Sequence, residues 1–441
     1  MSLPFSIERC YDSHVHWLPT GELAAQVRVD DLVDWSAALA QAPRRGDWRL
    51  LFGWNSDVAE FRDLRATALD RWDAAKPLLV SHRSGHASVI NSAALDALGW
   101  RDLNDLPAEL RPFATAAEDG RLTGCFREQA HFFILEKLPA LTPETRRQYL
   151  LRAQEIFLDA GFTHIREMMG DAELIEDVLR LEGLKQLRLY VEMLLHVPHR
   201  QGLATALETA RAFRLKKSAR LRVEGVKLFL DGALGADTAA LAAPYAHKHD
   251  HHGALLWSDT DLTHALRTAW GEGLKVAVHT IGDAAMNQVL QIAQSLKTEG
   301  IEGALCLEHA ELIAPEAFKK MRGLALEFHF QPSHYLDDAA MLSQKLGDRA
   351  ALVFPWHRIE NMGFPIYFGS DTPIASPSLQ RTVAGLRAAQ VAGIPRLELD
   401  WKFAHSHPDR HFGKGCRTTV ADDGRVLRLE VDGKVDQRLK P

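Results

Sequence analysis

The sequence predicts a (β/α)8 TIM barrel of the α/β class, with a large insertion after the first strand and a reduced or absent β-sandwich. Two observations lead to this fold. From Gly161 onward, segments that resemble strands alternate with segments of helical periodicity, and seven such strands follow one another. Another strand precedes them at residues 12–16, which completes the eight strands of this barrel.

A long insertion follows the first barrel strand. The residues before Tyr11 have no assigned element and lead directly into the first strand. Residues 18–160 are far longer than a usual connection between barrel strands, so we interpret them as an inserted subdomain. Within the insertion, the patterns predict a helix over 22–42, strands at 48–54 and 77–82, and helices over 126–138 and 143–160.

The remaining barrel strands follow the insertion. They are predicted at residues 162–167, 187–196, 221–230, 275–279, 304–309, 324–331 and 365–371. In the C-terminal tail, residues 418–420 and 426–431 flank the turn signal Asp422-Asp423-Gly424, which predicts a β-hairpin. We therefore divide the chain into a first barrel strand at 1–17, a subdomain over the barrel mouth at 18–160, the rest of the barrel at 161–400, and a tail at 401–441.

The composition argues against several classes of function. Of 441 residues, 46% are hydrophobic and 25% are charged, and the net charge of −6 does not favour nucleic acid or an anionic membrane as partner. The four cysteines are far apart and form no CxxC pair, so neither a disulfide framework nor a zinc–thiolate site is indicated. No basic stretch followed by an apolar run and no membrane-spanning run is present in the sequence, so we expect a soluble, cytoplasmic protein.

Residues that can bind a metal stand at the ends of the predicted barrel strands. His14 and His16 are one residue apart, so both side chains point to the same face of the first strand. The whole set is His14, His16, His279, His309 and Asp371. Four imidazoles and one carboxylate suit zinc or a similar divalent ion, and the carboxyl ends of barrel strands are where sites form in this fold.

Lys227 is directed to the same place from the fourth barrel strand. A free ammonium beside metal cations is strongly disfavoured, so the sequence leaves three possibilities for this side chain. Lys227 is a neutral amine, or it pairs with Asp231 outside the metal ligands, or it is a carbamate formed with CO2. A carbamate would turn the side chain into a bridging, anionic oxygen ligand.

Eight motifs together resemble the amidohydrolase superfamily, specifically the amidohydrolase 3 branch that includes N-substituted formamide deformylases. The resemblance runs from about Asp12 to Pro377. In order, the motifs are DSHVH, GHASVINSAAL, GRLTGCFREQA, VKLFLDGALGADTAAL followed by PY, VAVHTIGDAA, LEHAEL, FQPSH and FGSDTP.

The resemblance implies a binuclear metal centre with about two zinc or similar ions per chain. The ligands carry over position by position: His14, His16 and Asp371 for one ion, His279 and His309 for the other, and N6-carboxylated Lys227 as the bridge. Asp371 would also be the catalytic residue, because it reaches both metal and hydroxide and can move the proton.

The predicted activity is hydrolysis of a non-peptide C–N bond in a small amide, such as an N-acyl or N-formyl compound. A hydroxide formed at the metals would attack the carbonyl carbon, and Asp371 would pass its proton to the leaving nitrogen. The alternatives are an ester, a lactone or a cyclic amide as substrate, or an inactive relative that only binds, since the fold does not decide among them. The only further partner expected, from family habit, is a second copy in a homodimer.

Five other residues are candidates for contact with the substrate: His86, Arg83, Glu128, Arg166 and His334. A structural role remains open for each, as a loop contact, a helix cap or support for a metal ligand. Two histidine-rich runs, at 247–252 and 405–411, are not assigned a site. The chain departs from the family pattern before Tyr11, so we expect the N-terminal half of the usual sandwich to be missing and the hairpin at 418–433 to be a remnant.

Overall fold

The computed structural model describes residues 4–29, 39–40, 42–54, 64–82, 87–108 and 110–436, apart from the side chain of Glu128. The chain forms two compact units. Met1–Thr20 and Ala153–Pro441 form the first, here called the barrel unit, and Gly21–Arg152 forms the second, the inserted unit.

The strands of the described residues are numbered in chain order. They are β1 (Phe5–Glu8), β2 (Tyr11–Val15), β3 (Val27–Arg28), β4 (Arg44–Arg45), β5 (Trp48–Trp54), β6 (Leu78–His82), β7 (Ala87–Ile90), β8 (Ala114–Ala116), β9 (Leu122–Arg127), β10 (His164–Gly170), β11 (Tyr190–His196), β12 (Leu221–Phe229), β13 (Lys275–Thr280), β14 (Leu305–His309), β15 (Leu326–Phe330), β16 (Ile366–Phe368), β17 (Arg417–Val420), β18 (Val426–Val431) and β19 (Lys434–Val435).

The α-helices are numbered in the same way. They are α1 (Trp17–Ala25), α2 (Ala66–Leu69), α3 (Ser92–Leu98), α4 (Glu128–Lys137), α5 (Pro143–Asp159), α6 (Ala172–Gly183), α7 (Gly202–Arg214), α8 (Asp259–Gly271), α9 (Asp283–Thr298), α10 (Ala317–Lys320), α11 (His334–Leu346), α12 (Trp356–Asn361), α13 (Leu379–Val391) and α14 (Trp401–Ala404). Short 3-10 helices lie at Leu103–Asp105, Arg111–Phe113 and Gly347–Leu352.

Eight parallel strands form the barrel, in the order β16-β15-β14-β13-β12-β11-β10-β2. The first and last strands approach each other at one end, where Val15 and Thr372 form a parallel bridge. There the backbone N–H of His16 donates to the carbonyl of Thr372 over 2.9 Å, and that of Asp371 donates to the carbonyl of His14 over 2.8 Å. The predicted (β/α)8 barrel is confirmed, and its closure brings three candidate metal ligands together.

A glycine permits this close approach. A Cβ added at Gly369 would lie 2.6 Å from both the backbone nitrogen and the Cβ of His14, well inside van der Waals contact. Strand β16 also ends earlier than the predicted segment 365–371, because Asp371 adopts a left-handed φ of 59° that a continuing strand does not allow. Strand β10 is likewise displaced from the predicted 162–167, while the other barrel strands differ by only a few residues.

Helices pack on the barrel through one apolar face each. Helix α9 shows the pattern clearly, since Met286, Val289, Leu290 and Ala293 are buried at helical spacing. A side-chain cap marks where α6 begins: Asp171 accepts a hydrogen bond from the backbone N–H of Leu174 over 2.7 Å. The scaffold that carries the strand ends is therefore well packed.

A second, four-stranded sheet in the barrel unit has the order β1-β17-β18-β19. The predicted hairpin in the tail is present as β17 and β18, which pair antiparallel. No element is assigned from the sequence before Tyr11, whereas in the structure Phe5–Glu8 forms a strand that pairs antiparallel with Arg417–Val420. A small sheet therefore stands where the family pattern places a sandwich.

The inserted unit contains a seven-stranded sheet whose main order is β3-β5-β6-β7-β9-β8. Neighbouring residues in its central strands point to opposite faces, as the period of a strand requires. Leu50 and Leu79 belong to one apolar cluster, and Leu51 and Val80 belong to another. The sheet thus separates two small cores. In neither unit is a described helix both long and apolar enough to cross a membrane.

Candidate metal centre

His14, His16 and Asp371 converge at the carboxyl ends of β2 and β16. The Nε2 atoms of His14 and His16 lie 3.3 and 3.0 Å from the same carboxylate oxygen, Oδ1 of Asp371. The two imidazoles face the same way, with ring centroids 5.5 Å apart, as the spacing of one residue on a strand predicts. Two ring nitrogens and a carboxylate oxygen therefore point at one small volume.

His279 and His309 come from β13 and β14 and lie beside each other. Their ring centroids are 4.4 Å apart, and the ring of His309 is 4.8 Å from that of His14. His279 uses Nε2–H to donate to the carbonyl of Gly232 over 3.1 Å, which leaves its Nδ1 with a free lone pair. The Nδ1 atoms of both histidines are buried and have no hydrogen-bond partner among the described residues.

Lys227 of β12 lies fully buried, and its Nζ has no hydrogen-bond partner in the part of the chain that the structure describes. Its ammonium lies over the ring of Phe229, 4.8 Å from the centroid. Burial is the main cause that lowers the pKa of Lys227, to about 8. The buried amine is thus neutral in an appreciable fraction of molecules near pH 8, which is the form that reacts with CO2.

Asp231, the alternative partner of Lys227, is engaged by backbone amides. Its carboxylate accepts from the N–H groups of Ala240, Ile281 and Gly282, over 3.0, 3.1 and 2.7 Å. These bonds hold the loop after β12 against the loop after β13. Asp231 therefore orders the loops around the centre through these backbone amides.

Glu308 precedes His309 on β14 and holds His14 from behind. Its Oε2 lies 2.7 Å from Nδ1 of His14, and its Oε1 accepts from Nη1 of Arg166 over 2.7 Å. Burial acts to raise the pKa of Glu308, but Arg166, together with His329 and the hydrogen bond to His14, outweighs burial and holds it well below the usual range. Because Glu308 is ionised, Nδ1 of His14 carries the proton and Nε2 presents its lone pair.

Both Glu308 and His309 reach His14, although strand alternation alone would send neighbouring side chains to opposite faces. His309 adopts a φ of 64° and Ala310 a φ of 47°, so the backbone turns at the end of β14. This turn returns the imidazole of His309 to the interior. The left-handed backbone at His309 and at Asp371 is local strain located at candidate ligands.

The electrostatics of the centre keep the imidazoles neutral. Burial, followed by the nearby charge of Lys227, lowers the pKa of His14 to about 4 and that of His279 to about 3. Burial also lowers the pKa of His309 well below the ordinary value. Burial acts to raise the pKa of Asp371, but His14 and the hydrogen bond from His16 outweigh it and keep the carboxylate ionised.

Two more side chains face the centre from neighbouring strand ends. His334, at the start of α11, places Nε2 3.8 Å from Oδ2 of Asp371 and Nδ1 3.9 Å from Oε1 of Glu311. His196 ends β11, and burial followed by Lys227 lowers its pKa to about 4.

The predicted substrate contacts have different surroundings. Arg166 is buried beneath His14, where it bonds Glu308 and the carbonyl of Ser13, whereas His334 faces Asp371. Arg83 and His86, and the side chain of Glu128, lie outside the described residues. Sequence reasoning assigned no role to Glu308, whose only signal was its place beside His309.

Histidines of both histidine-rich runs form hydrogen bonds to other residues of the chain. In the first run, His251 bonds the carbonyl of Asp237 over 2.5 Å, and His252 bonds that of Leu241 over 3.1 Å. In the second run, His405 bonds the carbonyl of Tyr11 over 2.9 Å and His407 bonds Glu192 over 2.8 Å.

The residues present fit a divalent metal. Ligand atoms of His14, His309 and Asp371 lie within 4.8 Å of one another, and all three side chains are buried. The free Nδ1 atoms of His279 and His309 and the free Nζ of Lys227 are buried donors or acceptors with no protein partner among the described residues. Buried polar groups are normally paired, so such a cluster of open positions is typical of a site that holds a ligand.

Residues 11–391 match the family model Amidohydro_3, described as the amidohydrolase family. The chain belongs to the amidohydrolase family. The resemblance predicted from the eight motifs is thereby confirmed. Among curated relatives, this amidohydrolase is 26% identical over 381 residues to Protein LONG AFTER FAR-RED 3 of Arabidopsis thaliana, a match that covers 82% of this chain and 65% of that protein. It is 28% identical over 377 residues to YtcJ of Bacillus subtilis (strain 168), which covers 82% and 69%.

Two solved structures share the fold of this amidohydrolase. One is an uncharacterized metal-dependent hydrolase from Pyrococcus furiosus, with a TM-score of 0.70, 24% identity, and coverage of 87% of this chain and 77% of that one. The other is an uncharacterized metal-dependent hydrolase from Pyrococcus horikoshii OT3, with a TM-score of 0.71, 23% identity, and coverage of 91% and 79%. At these identities the likeness supports the architecture alone.

Proposed function

We propose that this amidohydrolase is a metal-dependent enzyme that hydrolyses the C–N bond of a small, non-peptide amide, such as an N-acyl or N-formyl compound. The observation that carries the proposal is the convergence of His14 and His16 on one oxygen of Asp371, beside the open nitrogens of His279, His309 and Lys227. Family membership supports the reaction class, and the small buried centre supports a small substrate.

The metal ligands divide into two groups. His14, His16 and Asp371 would hold one ion, and His279 and His309 would hold a second, with zinc as the expected metal for imidazole and carboxylate ligands. Lys227 is a buried amine without a hydrogen-bond partner among the described residues. Carboxylation of Lys227 would supply the bridging anion.

When bound, such ions polarise a carbonyl group and lower the pKa of water towards neutrality. The residues of this chain then divide the remaining work. Asp371 is ionised and can accept a proton at Oδ2, the oxygen that does not contact His14 and His16, and return it to the leaving nitrogen. Glu308 fixes the tautomer of His14, and Arg166 keeps Glu308 ionised.

The test combines metal analysis with a substrate panel. Protein purified without added metal is analysed for metal content and then assayed with zinc and bicarbonate against N-formyl and N-acyl amines, simple esters, lactones and cyclic amides. We expect about two zinc ions per chain and turnover of N-formyl or N-acyl compounds that a chelator abolishes and zinc restores.

Other outcomes assign the rival functions. Turnover confined to esters, lactones or cyclic amides would show that the enzyme hydrolyses a different bond with the same fold. A fully metallated protein that turns over none of the panel but binds amides would be an inactive binding relative. A protein that holds no metal after reconstitution would contradict the proposal.

A further inference from the structure

A second group of metal-capable side chains lies on β14 and β15, apart from the candidate metal centre. Cys306 and Glu327 are direct neighbours across these strands, and His329 follows two residues later. Sγ of Cys306 lies 3.5 Å from Oε2 of Glu327, and Nε2 of His329 lies 3.8 Å from the same oxygen. One ligand atom from each residue lies within 4.8 Å of the others.

His329 is the unusual member of this group. Its side chain is 2% exposed, and neither ring nitrogen has a hydrogen-bond partner among the residues that the structure describes. The separation from Glu327 is too long for a hydrogen bond. Tyr367 stacks on the ring at 5.2 Å and so fixes its orientation without satisfying either nitrogen. A buried imidazole held in place with both nitrogens open has the property expected of a ligand.

We propose that Cys306, Glu327 and His329 form a second metal site, suited to Zn2+, in the interior of the barrel. Tetrahedral zinc has bonds of about 2.3 Å to sulfur and about 2.0–2.2 Å to nitrogen and oxygen, which places ligand atoms roughly 3.3–3.6 Å apart. The observed 3.5 Å between Cys306 and Glu327 lies in this range, and the 3.8 Å between His329 and Glu327 needs only a small adjustment. Water would complete the fourth position.

The charges around the group favour an additional cation. Arg166 bonds Glu308, Lys275 bonds Glu327, and Glu192 accepts from Tyr11 and contacts His407. Three carboxylates therefore lie around the group together with Arg166 and Lys275. Binding of Zn2+ with loss of the thiol proton of Cys306 would add one net positive charge beside these carboxylates.

Lys275 does not prevent Glu327 from binding a metal. Its Nζ lies 3.2 and 3.3 Å from the two oxygens of Glu327, yet each carboxylate oxygen has a second lone pair for a metal. The side chains of Lys275 and Glu327 are 31% and 24% exposed, so the group can be reached from solvent at this end. Burial raises the pKa of the Cys306 thiol, so metal binding releases a proton and strengthens as the pH rises.

The experiment uses Co2+ as the probe, because a cobalt–thiolate bond gives a charge-transfer band in the near ultraviolet that histidine and carboxylate ligands do not. The full chain is stripped of metal, reconstituted with Co2+ and titrated with spectroscopic detection. We expect a thiolate band and one metal ion per chain more than in the Cys306→Ser variant. The candidate metal centre contains no cysteine, so the band reports only on the second group.

Matched variants secure the result. Cys125→Ser, which alters a cysteine of the inserted unit, should keep the band. In His329→Gln the band should be lost, or the cobalt affinity that it reports should fall at least tenfold. Circular dichroism and thermal melting show whether each variant is folded. Absence of the band in the wild-type protein overturns the proposal. A thiolate band with unchanged cobalt affinity in His329→Gln also overturns it, even where Cys306→Ser fails to fold.

Discussion

The Nδ1 atom of His14 lies 2.7 Å from Oε2 of Glu308, on the side of the ring opposite Asp371. Through this contact the protein fixes which nitrogen of a metal ligand is free. Arg166 completes the chain of contacts from the other oxygen of Glu308. The position of a proton at the centre therefore depends on two residues that touch neither metal nor substrate.

We expect Glu308→Gln to weaken metal binding about 10- to 100-fold, the usual effect of removing a carboxylate behind a ligating histidine. An amide can rotate to offer its NH2 group to Nδ1, which then accepts and leaves the proton on Nε2. Chelator competition measures the affinity. The surface variant Glu316→Gln should match wild type, and an unchanged affinity in Glu308→Gln would show that the tautomer is set elsewhere.

Asp371→Asn should lower kcat by about 10²- to 10⁴-fold while the protein stays folded, because the amide cannot accept a proton. Asparagine tolerates the left-handed backbone at this position, so the substitution tests the chemistry and not the turn. Steady-state kinetics, with the metal content measured on the same sample, separates loss of proton transfer from loss of metal. Asp337→Asn on α11 is the control, and full activity in Asp371→Asn would remove Asp371 from the reaction.

Lys227→Met should reduce zinc content from about two ions per chain to one, because methionine cannot form the bridging carbamate. The wild-type protein should regain more activity when zinc is added with bicarbonate than with zinc alone, and the variant should not respond. Elemental analysis and activity after reconstitution provide the measurements. Lys297→Met on α9 should behave as wild type, whereas two zinc ions retained by Lys227→Met would contradict the bridge.

Gly369→Ala should destabilise the barrel unit by about 1–3 kcal/mol, the usual cost of forcing extra atoms into a packed position. The added Cβ would meet the backbone and Cβ of His14 at 2.6 Å, so metal affinity should fall with stability. Urea unfolding measures the change in free energy. Gly183→Ala is the matched control, because a Cβ there meets nothing within 4 Å and should be neutral or slightly stabilising.

Glu192 should contribute to stability above about pH 4.5. Burial acts to raise its pKa, but His407 and Tyr11 outweigh burial and lower it from 4.5 to about 2. A depressed carboxyl pKa stabilises the fold above the unfolded value, and that contribution disappears as the pH falls from about 4.5 to about 2. The loss of free energy in Glu192→Gln, about 2–3 kcal/mol at pH 7, should therefore shrink over this range. Urea unfolding of both proteins at several pH values tests this.

The barrel and its candidate ligands could be predicted because each depends on local sequence. Strand and helix periodicity repeat along the chain. Polar residues at the strand ends converge in this fold regardless of the sequence and length of the loops. His14 and His16 share a face because of a spacing of one residue, and the structure brings both to Asp371. These relations need no knowledge of distant contacts.

The features that sequence reasoning missed depend on distant contacts. Strand β1 has only four residues, and its partner β17 lies near the other end of the sequence. Glu308 was missed because alternation aims it away from His309, and only the left-handed backbone at His309 brings both side chains to His14. Glu327 and His329 are one residue apart, but Cys306 lies on the neighbouring strand, so no local spacing joins all three.

The pairing of β1 with β17 has a consequence for synthesis on the ribosome. Phe5–Glu8 is made before the barrel sequence, yet its partner Arg417–Val420 is made only after it. Strand β2 likewise cannot form its bridge to Thr372, and so close the barrel, until that residue has been made. Until then both early strands have unpaired edges, and such edges are where nascent chains can associate with one another.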